Sequence, residues 1–149
     1  MPLFSAKIEY ALRGILYLAQ QPVGLPVQSH EIAAAEHIPG PYLDQILAVL
    51  KREGVVRSLR GVGGGYELAK PPSQITVGDI VRAFSGNRTF EPSEALVRDS
   101  ISTTTIQCIR NFQRRTAEAI WRLLDSTTIQ NLLEQKQLLD QAQSIAPYL

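Results

Sequence analysis

Residues 60–65 read Arg-Gly-Val-Gly-Gly-Gly, four glycines in six positions, set between the β-type runs VVRSL (55–59) and YELA (66–69). So few side chains leave nothing for a core to hold, whereas glycine enters left-handed backbone regions without steric cost. The tract is therefore the tip of a tight hairpin, with helical patterns on either side of it. A nucleotide loop is the competing use of such a tract. This one lacks a Gly-Lys-Ser/Thr ending and the third glycine of a dinucleotide fingerprint, and it leads into a strand where a phosphate site needs a helix N-terminus.

Upstream, Ile8, Ala11, Leu12, Ile15, Leu16 and Ala19 recur at helical spacing behind Ser5, a good N-cap, until Gln20, Gln21 and Pro22 end the pattern. Pro22, Gly24 and Pro26 make a connector, and SHEIAAAE (29–36) is a short helix stopped before Ile38-Pro39-Gly40-Pro41. Pro41 suits the first position of the next helix, where its missing N–H costs nothing. Leu43, Ile46, Leu47 and Leu50 then form a core-facing stripe up to Gly54. At about 100° per residue the opposite side centres on Pro41, Gln45, Ala48 and Arg52, flanked by Tyr42 and Asp44.

Downstream, Thr76-Val-Gly-Asp79 has the form of a capped helix start ahead of Ile80, Val81, Ala83 and Phe84, with Gly86 as the stop. Residues 87–105 show no sustained periodicity and are rich in Ser and Thr, which predicts a long loop. From Ile106, the residues Ile109, Phe112, Ala117, Ile120, Trp121 and Leu124 mark a long helix, with Arg114, Glu118 and Arg122 spaced for i,i+4 pairs. Thr127 or Thr128 is expected to cap a last helix bearing Ile129, Leu132, Leu133, Leu139 and Ala142. The expected fold is mainly α with a small β-hairpin.

The order helix, short helix, tight turn, helix, hairpin is that of a winged helix-turn-helix, whose second motif helix enters the major groove while the hairpin touches neighbouring backbone or minor groove. Bulk charge is silent on this point: 15 Lys and Arg against 14 Asp and Glu give a net +1. Local charge is not, because Lys51, Arg52, Arg57 and Arg60 against Glu53 give +3 within ten residues, the field that holds phosphates. Gln45 is suited to pair bidentately with adenine, Tyr42 to reach a phosphate or sugar, and Arg60 to enter a narrow minor groove. Plainer roles stay open, Gln45 as a solvated helix residue and Tyr42 as the edge of the core.

The 149 residues are 44% hydrophobic, enough for a real core. Apolar runs reach only three or four residues, as at Ile32–Ala35, against the roughly 18 to 20 of a membrane span. With no secretory pattern in residues 1–4 and a single cysteine, Cys108, a cytoplasmic protein is expected. No nucleophile, base and oxyanion donor assemble, so no catalytic residue and no enzyme are expected.

Residues 5–84, with IPGPYLDQILAVLKREGVV (38–56) and SLRGVGGGYELAK (58–70), resemble the Rrf2 family of bacterial winged helix-turn-helix transcription regulators. The resemblance implies a homodimer on a pseudo-palindromic DNA operator. It implies base or groove contacts at Tyr42, Asp44, Gln45 and Arg60, and the full expected DNA-facing set is Ser29, Pro41, Tyr42, Asp44, Gln45, Arg52, Arg60, Gly61, Gly63 and Gly64. Pro39 and Pro41 stand where relatives can carry Ser, which removes two hydroxyl donors. The Trp-containing helix resembles the family's dimerisation helix, with Ile109, Phe112, Ile120, Trp121 and Leu124 as interface residues. The implied organisation is a DNA-binding domain over 1–86, a sensor-type loop over 87–105, and dimerisation and C-terminal helices over 106–149. A winged-helix protein-interaction module without specific DNA readout is the alternative.

Many relatives hold an iron-sulfur cluster through three cysteines ahead of the dimerisation helix, and such clusters use four soft ligands. Here Cys108 resembles the last of the three, and Glu9 lies where some relatives donate a carboxylate. One Cys and one Glu per chain could meet across a dimer but are too few for ordinary ligation, so a cluster is disfavoured and no cofactor is expected. Cys108 is then either a small apolar residue or a thiol switch, its thiolate favoured by Arg110 and the helix N-terminus; an unknown effector is the remaining source of a signal. His30 and His37 have no third ligand beside them, and no metal is expected.

Overall fold

The computed structural model describes residues 3–91 and 103–145. Ser5 caps the first helix, α1 (Ala6–Ala19), its hydroxyl accepting the Ile8 N–H at 3.4 Å. Of the helical stripe read from the sequence, Ile8, Ala11 and Ile15 are buried, joined by Leu18, while Leu12, Leu16 and Ala19 are half-buried at its edge. α2 (Ser29–Glu36) buries Ile32 and stops because His37 turns left-handed, at φ 53°. α3 (Gly40–Arg52) is capped by Pro39, so Pro41 takes the second helical position, one later than expected. Its buried residues are Leu43, Ile46, Leu47 and Leu50. With Ile15, Ile32, Ile75 and Ile80 they form the main core, which holds the three helices as the non-directional burial of apolar surface requires.

Gly54, at φ 74°, ends α3 and turns the chain into β1 (Val56–Leu59). β2 (Gly65–Leu68) returns antiparallel, pairing Val56 with Leu68, Arg57 with Glu67, Ser58 with Tyr66 and Leu59 with Gly65. Val27 adds a third edge that the sequence does not announce. Its N–H donates to the Tyr66 carbonyl at 2.8 Å and its carbonyl accepts from the Tyr66 N–H at 2.7 Å, which ties the hairpin to the connector before α2.

A 3₁₀ turn at Pro72–Gln74 leads to α4 (Val77–Ser85). The expected capping box forms at its start: Thr76 Oγ1 accepts the Asp79 N–H at 3.0 Å and Asp79 Oδ2 accepts the Thr76 N–H at 2.9 Å. α5 (Thr103–Ser126) begins three residues before Ile106, because Thr103, Thr104 and Thr105 extend the helix outside its apolar stripe. Residues 92–102 of the expected loop lie outside the described residues. α6 (Ile129–Ile145) is capped by Thr128, whose hydroxyl accepts the Asn131 N–H at 3.0 Å. The α5–α6 junction is stitched to the start of α4, the Val77 N–H donating to Thr127 O at 2.9 Å and the Ile129 N–H to Ile75 O at 2.8 Å. Ile129 and Leu133 are buried; Leu138 and Leu139, further along α6, are exposed. The architecture is a winged helix-turn-helix followed by a long helix. No helix among the described residues is long and apolar enough to cross a membrane.

Candidate nucleic-acid interface

The apolar stripe of α3 fixes its rotation, and so fixes which residues it presents outward. Pro41, Asp44, Gln45, Ala48 and Arg52 are all exposed. Neither Asp44 nor Gln45 bonds to another described residue, which leaves a carboxylate, an amide and a small methyl along one side of the helix. Tyr42 is half-buried, its ring edge-on to Tyr10 with centroids 5.4 Å apart and planes at 85°. Arg13 lies over the Tyr10 ring at 5.2 Å and pairs with Glu9 at 2.7 Å. The Tyr42 ring is packed on the core edge at the N-terminal end of α3, the plainer of its two readings.

The wing tip depends on glycine at particular positions. Gly61 and Gly63 sit at φ 96° and 77°, where a Cβ is strained, and both are exposed. Gly64 differs. It is buried, its N–H bonds to Gly61 O at 3.0 Å, and a Cβ there would overlap the Leu59 carbonyl. Its own carbonyl accepts from Gln28 Nε2 at 3.4 Å. Gly64 is thus turned inward by the tightness of the turn, its N–H already engaged within the hairpin, unlike the exposed Gly61 and Gly63. Ser29, beside Gln28, is half-buried at the first position of α2.

Arg60 is exposed and Val62 fully so. Val62 was missed in the sequence, although a valine flanked by glycines at a hairpin tip has no core to enter.

The local field is smaller than the sequence suggests. Arg57 Nε donates to Glu67 Oε1 at 2.6 Å across the hairpin, and Arg52 lies 3.5 Å from Glu53. Glu67 belongs to the same patch although it follows the loop, so the expected +3 falls by one. Arg57 also lines a cavity of about 280 Å³ behind the wing, among Leu18, Val23, Leu25 and Leu68. Lys51 and Arg60 keep no carboxylate partner among the described residues, and they are the patch's free cations.

The interface residues expected on α5 divide into two groups. Leu124 is buried with Ile8, Val77 and Val81, and Ile120 and Trp121 pack against the same cluster. Trp121 is further held edge-on by Phe90, at 5.3 Å, and faced by the Arg82 guanidinium at 4.3 Å. These three side chains are engaged within the chain, Leu124 completely, because the C-terminal half of α5 lies on α4. Ile109 and Phe112 are exposed, and Leu123, absent from the expected set, joins them at 68% exposure. At about 100° per residue these three fall on one side of the helix.

Arg82 also donates to Asp125 Oδ2 at 2.5 Å and lies 3.9 Å from Asp79. The Asp125 hydrogen bond raises the Arg82 pKa above the ordinary arginine value, against some desolvation and with help from both carboxylate charges.

Cys108 is exposed on the first half of α5. Glu9 is engaged with Arg13 on its own helix, and His30 and His37 are exposed. Among the described residues no three His, Cys, Asp or Glu side chains come together as a metal site does. One cysteine in the whole chain does not supply the donor set of an iron-sulfur cluster.

The sequence profile of the Rrf2 family, described as an iron-dependent transcriptional regulator, matches residues 4–135. An HTH-type transcriptional regulator of Synechocystis is 44% identical over 79 residues, 53% of this chain and 54% of that protein. The match thus spans about half the length of that relative. The HTH-type regulator CymR of Bacillus subtilis is 33% identical over 128 residues, 86% of this chain and 87% of that protein. The structure of CymR, titled as the global cysteine regulator of that organism, superposes with a TM-score of 0.75 at 32% identity, covering 91% of this chain and 98% of that one. IscR of T. potens superposes with a TM-score of 0.70 at 32% identity, covering 91% and 88%.

Proposed function

This chain belongs to the Rrf2 family of transcriptional regulators, and from that premise we propose that it reads a pseudo-palindromic DNA operator as a homodimer. The observation that carries the reading is the outer side of α3, with Asp44 and Gln45 exposed and unpaired, together with the unpaired Arg60 on the glycine-built wing tip. A helix of this form lies in the major groove, where Gln45 pairs with the N6 and N7 edge of adenine. Arg60 enters the minor groove or grips its phosphates, and Lys51 and Arg52 position the helix on the backbone. The exposed Ile109, Phe112 and Leu123 supply an apolar surface for a second copy of α5, which places two reading helices on two half-sites.

The donor set leads us to propose that regulation proceeds without a resident iron-sulfur cluster; the signal then arrives through Cys108 or through a separate effector. The test of the main reading is duplex binding measured against salt, on sites selected from a random pool. The expected result is a specific affinity at least about 10³ above non-specific binding, with log K falling linearly in log salt. Equal, weak binding to every duplex would instead identify a protein-interaction module.

A further inference from the structure

The wing and α3 are the proposed DNA-reading elements and α5 the proposed seat of a second copy; α4 lies between them, and α6 packed on α1 is a second link. Two kinds of contact hold α5 to α4. Leu124 and Ile120 bury against Val77 and Val81, which keeps the helices close but has no preferred direction. The backbone pairs Val77–Thr127 and Ile129–Ile75 lie together at the α5–α6 junction, so they act as a pivot. A pivot with an apolar contact fixes the angle of a 24-residue helix less sharply than directional contacts do.

The directional contacts lie to one side of that pivot. Arg82 bonds to Asp125 at 2.5 Å and its guanidinium faces the Trp121 ring at 4.3 Å. The planar cation is therefore held by a carboxylate in one direction and a ring face in another. Asp125 is pressed onto the first turn of α4 so closely that a Cβ on Gly78 would overlap its Oδ1.

We infer that Arg82, seated between Asp125 and Trp121 over Gly78, is the positioning residue that fixes the angle of α5 and thereby the half-site spacing the dimer accepts. Small changes of angle at the base of α5 are carried along the helix to the distance between the two reading helices. The inference rests on the proposed homodimer, and Arg82 itself is outside the reading surface.

The test uses the full chain and duplexes carrying two copies of the selected half-site, with the spacer varied one base pair at a time. The wild type is expected to show a sharp optimum. Arg82→Ala, Asp125→Ala and Gly78→Ala should each flatten it, lowering the preference for the best spacer over one displaced by two base pairs about 2- to 30-fold, the range for changes in coupling between sites. Affinity for a single half-site and the sedimentation of the dimer should be unchanged. The Arg82→Ala, Asp125→Ala double variant should do no more than Arg82→Ala alone. A dimeric variant with an unaltered spacing profile, or one weakened equally at every spacing, overturns the inference alone. A monomeric wild type overturns the homodimer and this inference with it.

Discussion

Arg57 on β1 and Glu67 on β2 are directly paired residues of the hairpin, and the Arg57 Nε donates to the Glu67 carboxylate at 2.6 Å. The pair occupies the cavity side of the wing, so of two arginines that look equivalent in the sequence, Arg57 is met by a carboxylate and, among the described residues, Arg60 is not. Arg60→Ala is expected to weaken operator binding and to reduce the slope of log K against log salt by about 1. Arg57→Ala should leave that slope nearly unchanged. Titrations of both variants over a salt series decide the matter, and equal slopes for the two would refute the assignment.

Gln45 is unpaired on the outer side of α3, the position proposed to read a base edge. Gln45→Ala should cost roughly 1 to 3 kcal/mol at one base pair of each half-site and relax the preference there. Gel shifts across an operator substitution series check it; a uniform loss at all positions would make Gln45 a backbone contact.

Gly64 and Gly65 have no space for a side chain, the first against the Leu59 carbonyl and the second against the Val27 carbonyl, 2.5 Å from a built Cβ. Gly65→Ala is therefore expected to break the Val27–Tyr66 pairing and to destabilise the fold by about 1 to 3 kcal/mol. Loss of hydrogen-exchange protection at the Val27 and Tyr66 amides, with α1 still protected, is the signature. Unchanged protection would show that the hairpin edge tolerates the shift.

Phe112 is 69% exposed on the apolar side of α5. Phe112→Asp should raise the dimer dissociation constant roughly 30-fold or more, the effect of removing an aromatic anchor. The chain's helical content should stay the same. Sedimentation across a concentration series reads the first and circular dichroism the second; an undisturbed dimer would place the interface elsewhere.

Protein purified without oxygen should be colourless and free of iron and sulfide, and Cys108→Ser should bind DNA as tightly as the wild type under reducing conditions. A visible absorbance band with stoichiometric iron would contradict the donor-set argument.

The sequence by itself determined the elements. Apolar residues at helical spacing placed α1, α3 and α5, Thr76 and Asp79 announced the cap of α4, and the glycine tract could only be a turn. The same periodicity exposed Asp44, Gln45 and Arg52, since burying one side of a helix presents the other. These are consequences of local backbone geometry and of neighbours within one or two turns.

Only the tertiary structure decided which distant groups meet. Glu67 cancels Arg57 through strand register, Val27 becomes a strand edge because Tyr66 arrives beside it, and Gly64 is drawn inward by the turn that its neighbours make. Trp121 and Leu124 carry the same apolar pattern as Phe112, yet they face α4 while Phe112 faces outward. Arg82 and Asp125 are 43 residues apart. A helical pattern states that a face will be buried, but its partner is chosen by packing among all the elements at once, and no window of neighbouring residues contains that information.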